Sequence, residues 1–123
     1  MSIMRFTPNT SPTIGVEIEL QLIDAKELAL TSAIDQILTA LPDDMRDSVK
    51  PELMQCYIEI NTRICRNVRE VGEDLRDKLT RLESIIHPMG VRLLWSGTHP
   101  FSSWRDQKIT HHERYARLVT LME

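Results

Sequence analysis

The chain has 123 residues, of which 41% are hydrophobic and 27% charged, with a formal net charge of −3. A chain of this size hides roughly two thirds of its unfolded surface, so one domain with a real core is expected, and no low-complexity run or repeat period interrupts it. The mild negative charge supplies no field that would hold a phosphate backbone, which disfavours nucleic acid as a partner.

The opening "MSIMRFTPNT" carries one arginine and then turns polar. It lacks the apolar core of a secretory leader, and no later run approaches the ~18 apolar residues of a membrane span. A cytoplasmic protein without a membrane partner is the expectation. Cys56 and Cys65 lie nine residues apart without a CxxC spacing. In a reducing compartment they read as buried thiols.

From Ile14 to Leu22 the pattern alternates strictly: Ile14, Val16, Ile18, Leu20 and Leu22 fall on one face, Gly15, Glu17, Glu19 and Gln21 on the other. Period two predicts a strand. A helix follows, capped by Thr31 or Ser32, carrying Ile34, Ile37, Leu38 and Leu41 and stopped by Pro42. Residues 42–51, "PDDMRDSVKP", are charged and bracketed by prolines, and predict a loop or irregular connection. "ELMQCYIEINTRI" alternates again, with Met54, Cys56, Ile58 and Ile60 opposite Gln55, Tyr57, Glu59 and Asn61. Asn67, with Glu70 three residues on, opens a helix of about five turns whose stripe is Val68, Val71, Leu75, Leu79, Leu82 and Ile86, ending near Pro88 and Gly90. "VRLLWSG" predicts a third strand. The loop "THPFSSWRDQKIT" leads to a last helix, capped by Thr110, with Tyr115, Leu118 and Met122 on one face, reaching Glu123 without a stop signal.

Alternating strands and helices ordinarily suggest a parallel sheet. Here the strands are amphipathic and no glycine-rich turn joins strand to helix, so an α+β fold is expected, with helices on one face of the sheet and a polar face left for another use.

Glu17 and Glu19 project from one side of the first strand, about 6.5–7 Å apart at Cα, and Glu59 shares that face if the two strands lie side by side. Carboxylates at close quarters repel, and at least one then keeps its proton. A hard divalent cation, Mg²⁺ or Mn²⁺, removes the conflict. The plainer reading is that the three glutamates only solvate an exposed sheet face.

Four short motifs, "TIGVEIELQLID", "ELMQCYIEINTRIC", "GTHPF" with a tryptophan three residues on, and "RY" in the last helix, together resemble the carboxylate-amine ligases of the glutamate-cysteine ligase type 2 family, from about Phe6 onward. The resemblance implies a glutamine-synthetase-like scaffold with an antiparallel or mixed sheet, of which residues 1–123 form the amino-terminal portion. It implies an ATP-dependent ligase in which Glu17, Glu19 and Glu59 hold Mg²⁺ or Mn²⁺ and amino acids are the small-molecule substrates. A carboxylate would accept the terminal phosphoryl of ATP, and an amine would then displace phosphate to form the amide.

Arg114 matches the family's RY and is the candidate catalytic cation, the other reading being a surface arginine. His99 and Thr98 are candidates for contacting the nucleotide, His99 having a turn-stabilising or core role as its alternative. Asn61 and Thr62 extend the polar face and are candidate substrate contacts. Enzymes of the family are much longer, so a fragment inactive alone is expected, with an open sheet edge inviting a homo-oligomer. Two rival expectations stand beside the ligase: a non-catalytic metal- or nucleotide-binding or interaction module derived from that fold, and a metal-free acid/base enzyme using Glu17 and Glu59.

Overall fold

The structure is a computed structural model and describes residues 7–122. Phe6, where the resemblance begins, and Glu123, where the last helix was expected to end, lie outside the described residues. Strand β1 is Glu17–Asp24, helix α1 Ile34–Ala40, strand β2 Val49–Pro51, strand β3 Tyr57–Asn61, helix α2 Val68–Ile86, strand β4 Val91–Leu94 and helix α3 Glu113–Met122. The four strands form one sheet in the order β2-β3-β1-β4, and every neighbouring pair is antiparallel. The fold is α+β, as the amphipathic strands predicted.

One face of the sheet carries the core. Ile18 and Leu20 of β1 stand opposite Ile60 and Ile58 of β3, and with Leu22, Val49 and Val91 they pack against Ile34, Ile37 and Leu41 from the α1 region and Leu82 and Ile86 of α2. Period-two alternation on the strands and the 3.6-residue stripe on α2 thus meet in one apolar layer. Val68, expected in that stripe, is exposed, because it is the first residue of the helix and lies beyond the sheet's cover.

Helix α2 begins where its sequence said it would. The Asn67 side chain accepts from the Glu70 amide at 3.0 Å, while the Glu70 carboxylate accepts from the Arg66 amide at 2.8 Å, a reciprocal cap shifted by one residue from the usual box. A short 3₁₀ turn, His87–Met89, follows, and Gly90 at φ 72° turns the chain into β4, a left-handed position that glycine occupies without steric cost.

Three local expectations are corrected. Neither Thr31 nor Ser32 caps α1: the N-cap is Ala33, without a side-chain hydrogen bond, because the Thr31 amide is tied to the Leu22 carbonyl. Thr110 does not cap α3 either. Its hydroxyl donates to the Glu52 carbonyl at 2.5 Å, and His112 takes over the cap, its Nδ1 accepting from the Arg114 amide at 3.1 Å. Residues 42–51 are not all loop. Met45 and Val49 are buried, and β2 pairs with β3 in a hairpin that ends at Pro51, where the missing N–H costs no ladder bond inside the sheet. Both cysteines are free and buried. No helix among the described residues is long and apolar enough to cross a membrane.

Candidate metal centre and adjoining cavity

The polar face of the sheet is written by the β1–β3 register: Glu17 stands opposite Asn61, Glu19 opposite Glu59, and Gln21 opposite Tyr57. On the far side of β3, Lys50 stands opposite Glu59. Like charges directly across a ladder are destabilising, so the Glu19–Glu59 pair is a local cost of this register.

A third carboxylate joins them. Glu52 follows β2 at the same side-chain phase as Lys50, and oxygens of Glu19, Glu52 and Glu59 all lie within 4.8 Å of one another. Its position is fixed from outside the sheet: the Gln55 amide donates to the Lys108 carbonyl and the Thr110 amide to the Leu53 carbonyl, each at 2.8 Å. Helix α3 adds Tyr115, whose hydroxyl donates to the Pro51 carbonyl at 3.2 Å. The hairpin turn is therefore strapped to the segment that leads into α3.

The electrostatics register the crowding. Burial pushes the Glu52 carboxyl above the usual carboxylate range; the Leu53 amide, donating at 3.0 Å, opposes this, while the charges of Glu19 and Glu59 and a hydrogen bond with Glu59 reinforce it. Tyr115 is raised first by burial and then by the charge of Glu52. Without a cation, the neighbouring carboxylates favour the protonated form of Glu52. All-oxygen donors, clustered and partly buried, make a set that suits a hard divalent cation.

Glu17 is placed elsewhere. It shares the face but not the cluster: its exposed side chain borders a separate, open concavity with Asp47, Lys50, Asn61 and Thr62. Two positions along a strand carry the side chains about 7 Å apart at Cα, and Glu59 and Glu52 gather on the Glu19 side. Asn61 donates from Nδ2 to Glu59 Oε1 at 2.9 Å, while its Oδ1 is buried without a partner among the described residues. The Thr62 hydroxyl accepts from the Val16 amide at 3.0 Å, which closes the end of the β1–β3 ladder.

On the other side of the carboxylates lies a cavity of about 410 Å³, bordered by Glu19, Glu52, Tyr57, Thr98 and His99. His99 reaches it with both ring nitrogens engaged. Nδ1 accepts from the Ser102 amide at 3.0 Å, which leaves Nε2 to donate to the Leu28 carbonyl at 3.0 Å. The ring thereby ties the loop to the β1–α1 turn, where Leu28 sits at φ 58°. Arg114 is on α3 across Glu52 from this cavity, bordering a third concavity with Glu52 and Leu53; its guanidinium carbon is 5.8 Å from the Tyr115 ring centroid.

Glu52 is the site-forming residue that pattern reading passed over; Tyr57, placed on the polar face by alternation but not named as a site residue, lines the cavity. In an unbroken strand from residue 52, Glu52 falls on the face opposite Glu59. The hairpin breaks the phase: β2 ends at Pro51, a turn closes with the Tyr57 amide donating to the Met54 carbonyl at 3.0 Å, and β3 starts afresh. The available signal was the proline at 51, which argues against a strand running through it.

An antiparallel sheet with helices on one face and gathered carboxylates on the other defines the class: an α+β domain whose open polar face carries a cluster of three glutamates. Comparison with known proteins narrows it. Residues 13–123 match the family described as Glutamate-cysteine ligase family 2 (GCS2). A protein of Gloeobacter violaceus named "Putative glutamate--cysteine ligase 2" is 44% identical over 116 residues, covering 93% of this chain and 31% of the relative. One of Rubrobacter xylanophilus, similarly named, is 42% identical over 111 residues, 90% of this chain and 30% of the relative. The chain belongs to the glutamate-cysteine ligase family 2, and it spans about a third of the length of these curated relatives.

Proposed function

We propose that this chain is the amino-terminal portion of the catalytic domain of an ATP-dependent carboxylate-amine ligase of the glutamate-cysteine ligase type, and that Glu19, Glu52 and Glu59 hold its Mg²⁺ or Mn²⁺. The observation that carries the reading is the approach of those three carboxylates to within 4.8 Å in a chain of this family. A bound divalent ion would supply charge neutralisation for the phosphoryl oxygens of the nucleotide. In the proposed reaction a substrate carboxylate oxygen bonds to the terminal phosphorus of ATP as ADP leaves. The nitrogen of a neutral amine then bonds to the acyl carbon as the acyl–oxygen bond to phosphate breaks, and the nitrogen gives up one proton to the departing phosphate.

The residues of this chain have separable parts in that scheme. Glu52, strapped by Thr110 and Tyr115, and Glu59, held by Asn61, orient the donor oxygens. Thr98 offers a hydroxyl from the loop bordering the cavity, and His99 holds that loop in place. Arg114 brings a cation to the opposite side of Glu52, toward a phosphate or a substrate carboxylate. Glu17, with Asn61 and Thr62, belongs to the neighbouring concavity and is the candidate for a further ion or a substrate contact.

The test is amide formation from ATP, Mg²⁺ and a panel of amino acids by the complete polypeptide that carries this sequence, comparing wild type with Glu19→Gln and Glu52→Gln. Loss of activity in both variants, with Mg²⁺ dependence in the wild type, is the expected result. Full activity in either variant removes the metal assignment. A second reading, a binding or interaction module without ligase activity, is favoured by the exposed apolar residues of α3, Leu118, Leu121 and Met122. It predicts Mg²⁺ binding with no amide product.

A further inference from the structure

The open concavity on the Glu17 side of the sheet carries charges that the three-glutamate cluster does not use. It measures about 580 Å³, enough for one small molecule, and Glu17, Asp47, Lys50, Asn61 and Thr62 border it. Lys50 stands directly across the ladder from Glu59. Even so, among the described residues neither Lys50 nor Glu17 nor Asp47 takes part in an ion pair. The Thr62 oxygen accepts from the Val16 amide at 3.0 Å, and a hydroxyl that accepts keeps its own hydrogen to donate. The concavity therefore offers an ammonium and a hydroxyl beside two carboxylates.

A ligand with one sign of charge does not match that set. A cation alone leaves Lys50 beside like charge, an anion alone does the same to Glu17 and Asp47, and like charges at short range repel. A group with an ammonium and a carboxylate on one carbon answers both, and that group is the main-chain end of a free α-amino acid. The concavity meets the metal cluster at Glu59, which has Lys50 as its cross-strand partner and accepts from Asn61 Nδ2 at 2.9 Å. From Glu17 to Glu19 is a single step of about 7 Å along one face of β1. An amino acid whose side chain ends in a carboxylate spans a step of that order, with its main-chain end in the concavity and its side-chain carboxylate at the ion held by the cluster.

We infer that Lys50 is a specificity-determining residue: it receives the main-chain carboxylate of an acidic α-amino acid in this concavity, with Thr62 donating beside it and Asp47 and Glu17 facing the ammonium. The inference rests on the ligase reading for the reaction at the side-chain carboxylate, and it adds where, and by which charges, the unreactive end of that substrate is held.

The experiment is a titration of this chain in Mg²⁺, followed residue by residue in ¹H–¹⁵N spectra, with L-glutamate, with 4-aminobutyrate, which lacks the main-chain carboxylate, and with glutarate, which lacks the ammonium. L-Glutamate is expected to shift the amides of Val16, Lys50 and Thr62 and to bind several-fold more tightly than either analogue. Lys50→Met should weaken L-glutamate about two- to fivefold, the size of one exposed charge pair, and leave 4-aminobutyrate where it was. Asp47→Asn should weaken L-glutamate and 4-aminobutyrate and spare glutarate. A lysine with a merely structural part would move all three ligands together or none of them. The inference is overturned if L-glutamate gives no saturable shift at these amides, or if Lys50→Met leaves L-glutamate unchanged or weakens 4-aminobutyrate equally. The ligase reading fails separately: the expected binding pattern without amide formation by the complete polypeptide would remove the ligase and keep the site, whereas amide formation from L-glutamate with a KM that Lys50→Met leaves unchanged would remove the site and keep the ligase.

Discussion

Replacing Glu52 by Gln should make the metal-free protein more stable and its response to Mg²⁺ smaller. The three carboxylates approach to within 4.8 Å, a separation at which two unit charges repel by about 0.9 kcal/mol in a water-like dielectric and about four times that at an effective dielectric of 20. Glu19 is exposed while Glu52 and Glu59 are half-buried, so screening favours the lower figure. Glutamine removes two of the three repulsive contacts, and its amide oxygen can still accept from the Leu53 amide. The net gain is about 1–2 kcal/mol, or roughly 3–10 °C in thermal midpoint for a domain of this size. Added Mg²⁺ reverses the ranking, since at a hundred times its dissociation constant it contributes about 2.7 kcal/mol to a site that binds it only when folded. Thermal denaturation with EDTA and with a Mg²⁺ series reads both effects. A lower midpoint for the variant in EDTA, or an equal Mg²⁺ shift in both proteins, would refute the reasoning.

Three further outcomes follow from named contacts. Because the Glu52 carboxyl is raised in the folded state, folding takes up a proton as pH falls, so metal-free stability should increase from neutral pH down toward the ordinary carboxylate value near 4.5 and be lost again on raising pH; urea denaturation at stepped pH measures this, and Glu52→Gln should flatten it. Asp74, buried on α2, would be raised by burial alone, but hydrogen bonds from Lys78 Nζ at 2.7 Å and the Arg63 amide at 3.0 Å, with the charges of both cations, hold it below the usual range; that stability is present above about pH 3.8 and lost below it, and Asp74→Ala should cost about 2–4 kcal/mol in chemical denaturation by stranding Lys78. Asn67→Ala removes the α2 cap and should cost about 1 kcal/mol, whereas Asn67→Asp should cost little.

Much of the fold could be read from period alone. Ile18, Leu20 and Leu22 are in the core or against it because strand alternation admits one buried face, and α2 declares itself through a stripe several turns long and a cap with a definite chemistry. Short elements without that redundancy were opaque. Strand β2 has three residues, too few for a period, and only pairing with β3 makes them a strand. The caps failed for a related reason: a threonine hydroxyl is a good cap, but Thr110 finds the Glu52 carbonyl first, a partner 58 residues away. The site divides along the same line. Glu19 and Glu59 are legible as polar residues on amphipathic strands, while Glu52 depends on a hairpin turn that changes the phase, and the His99 ring is absorbed by backbone groups that sequence spacing does not place beside it.

The physical logic of the arrangement lies in where the fold tolerates cost. A sheet with one face in the core cannot shift its register by one residue without turning Leu20, Ile58 and Ile60 out to solvent. The apolar face therefore enforces the opposition of Glu19 and Glu59 on the other side, and no local relaxation of β1 against β3 can relieve it. The only freedom left is in side-chain torsions and in the hairpin turn, and there Thr110 and Tyr115 close the second route by anchoring the backbone on either side of Glu52. Repulsion that could have been avoided by a looser turn is instead held in place by two hydroxyl groups and the segment leading into α3. Under the proposed metal assignment such an assembly would take a divalent cation with little rearrangement, because the core has already supplied the energy of bringing like charges together.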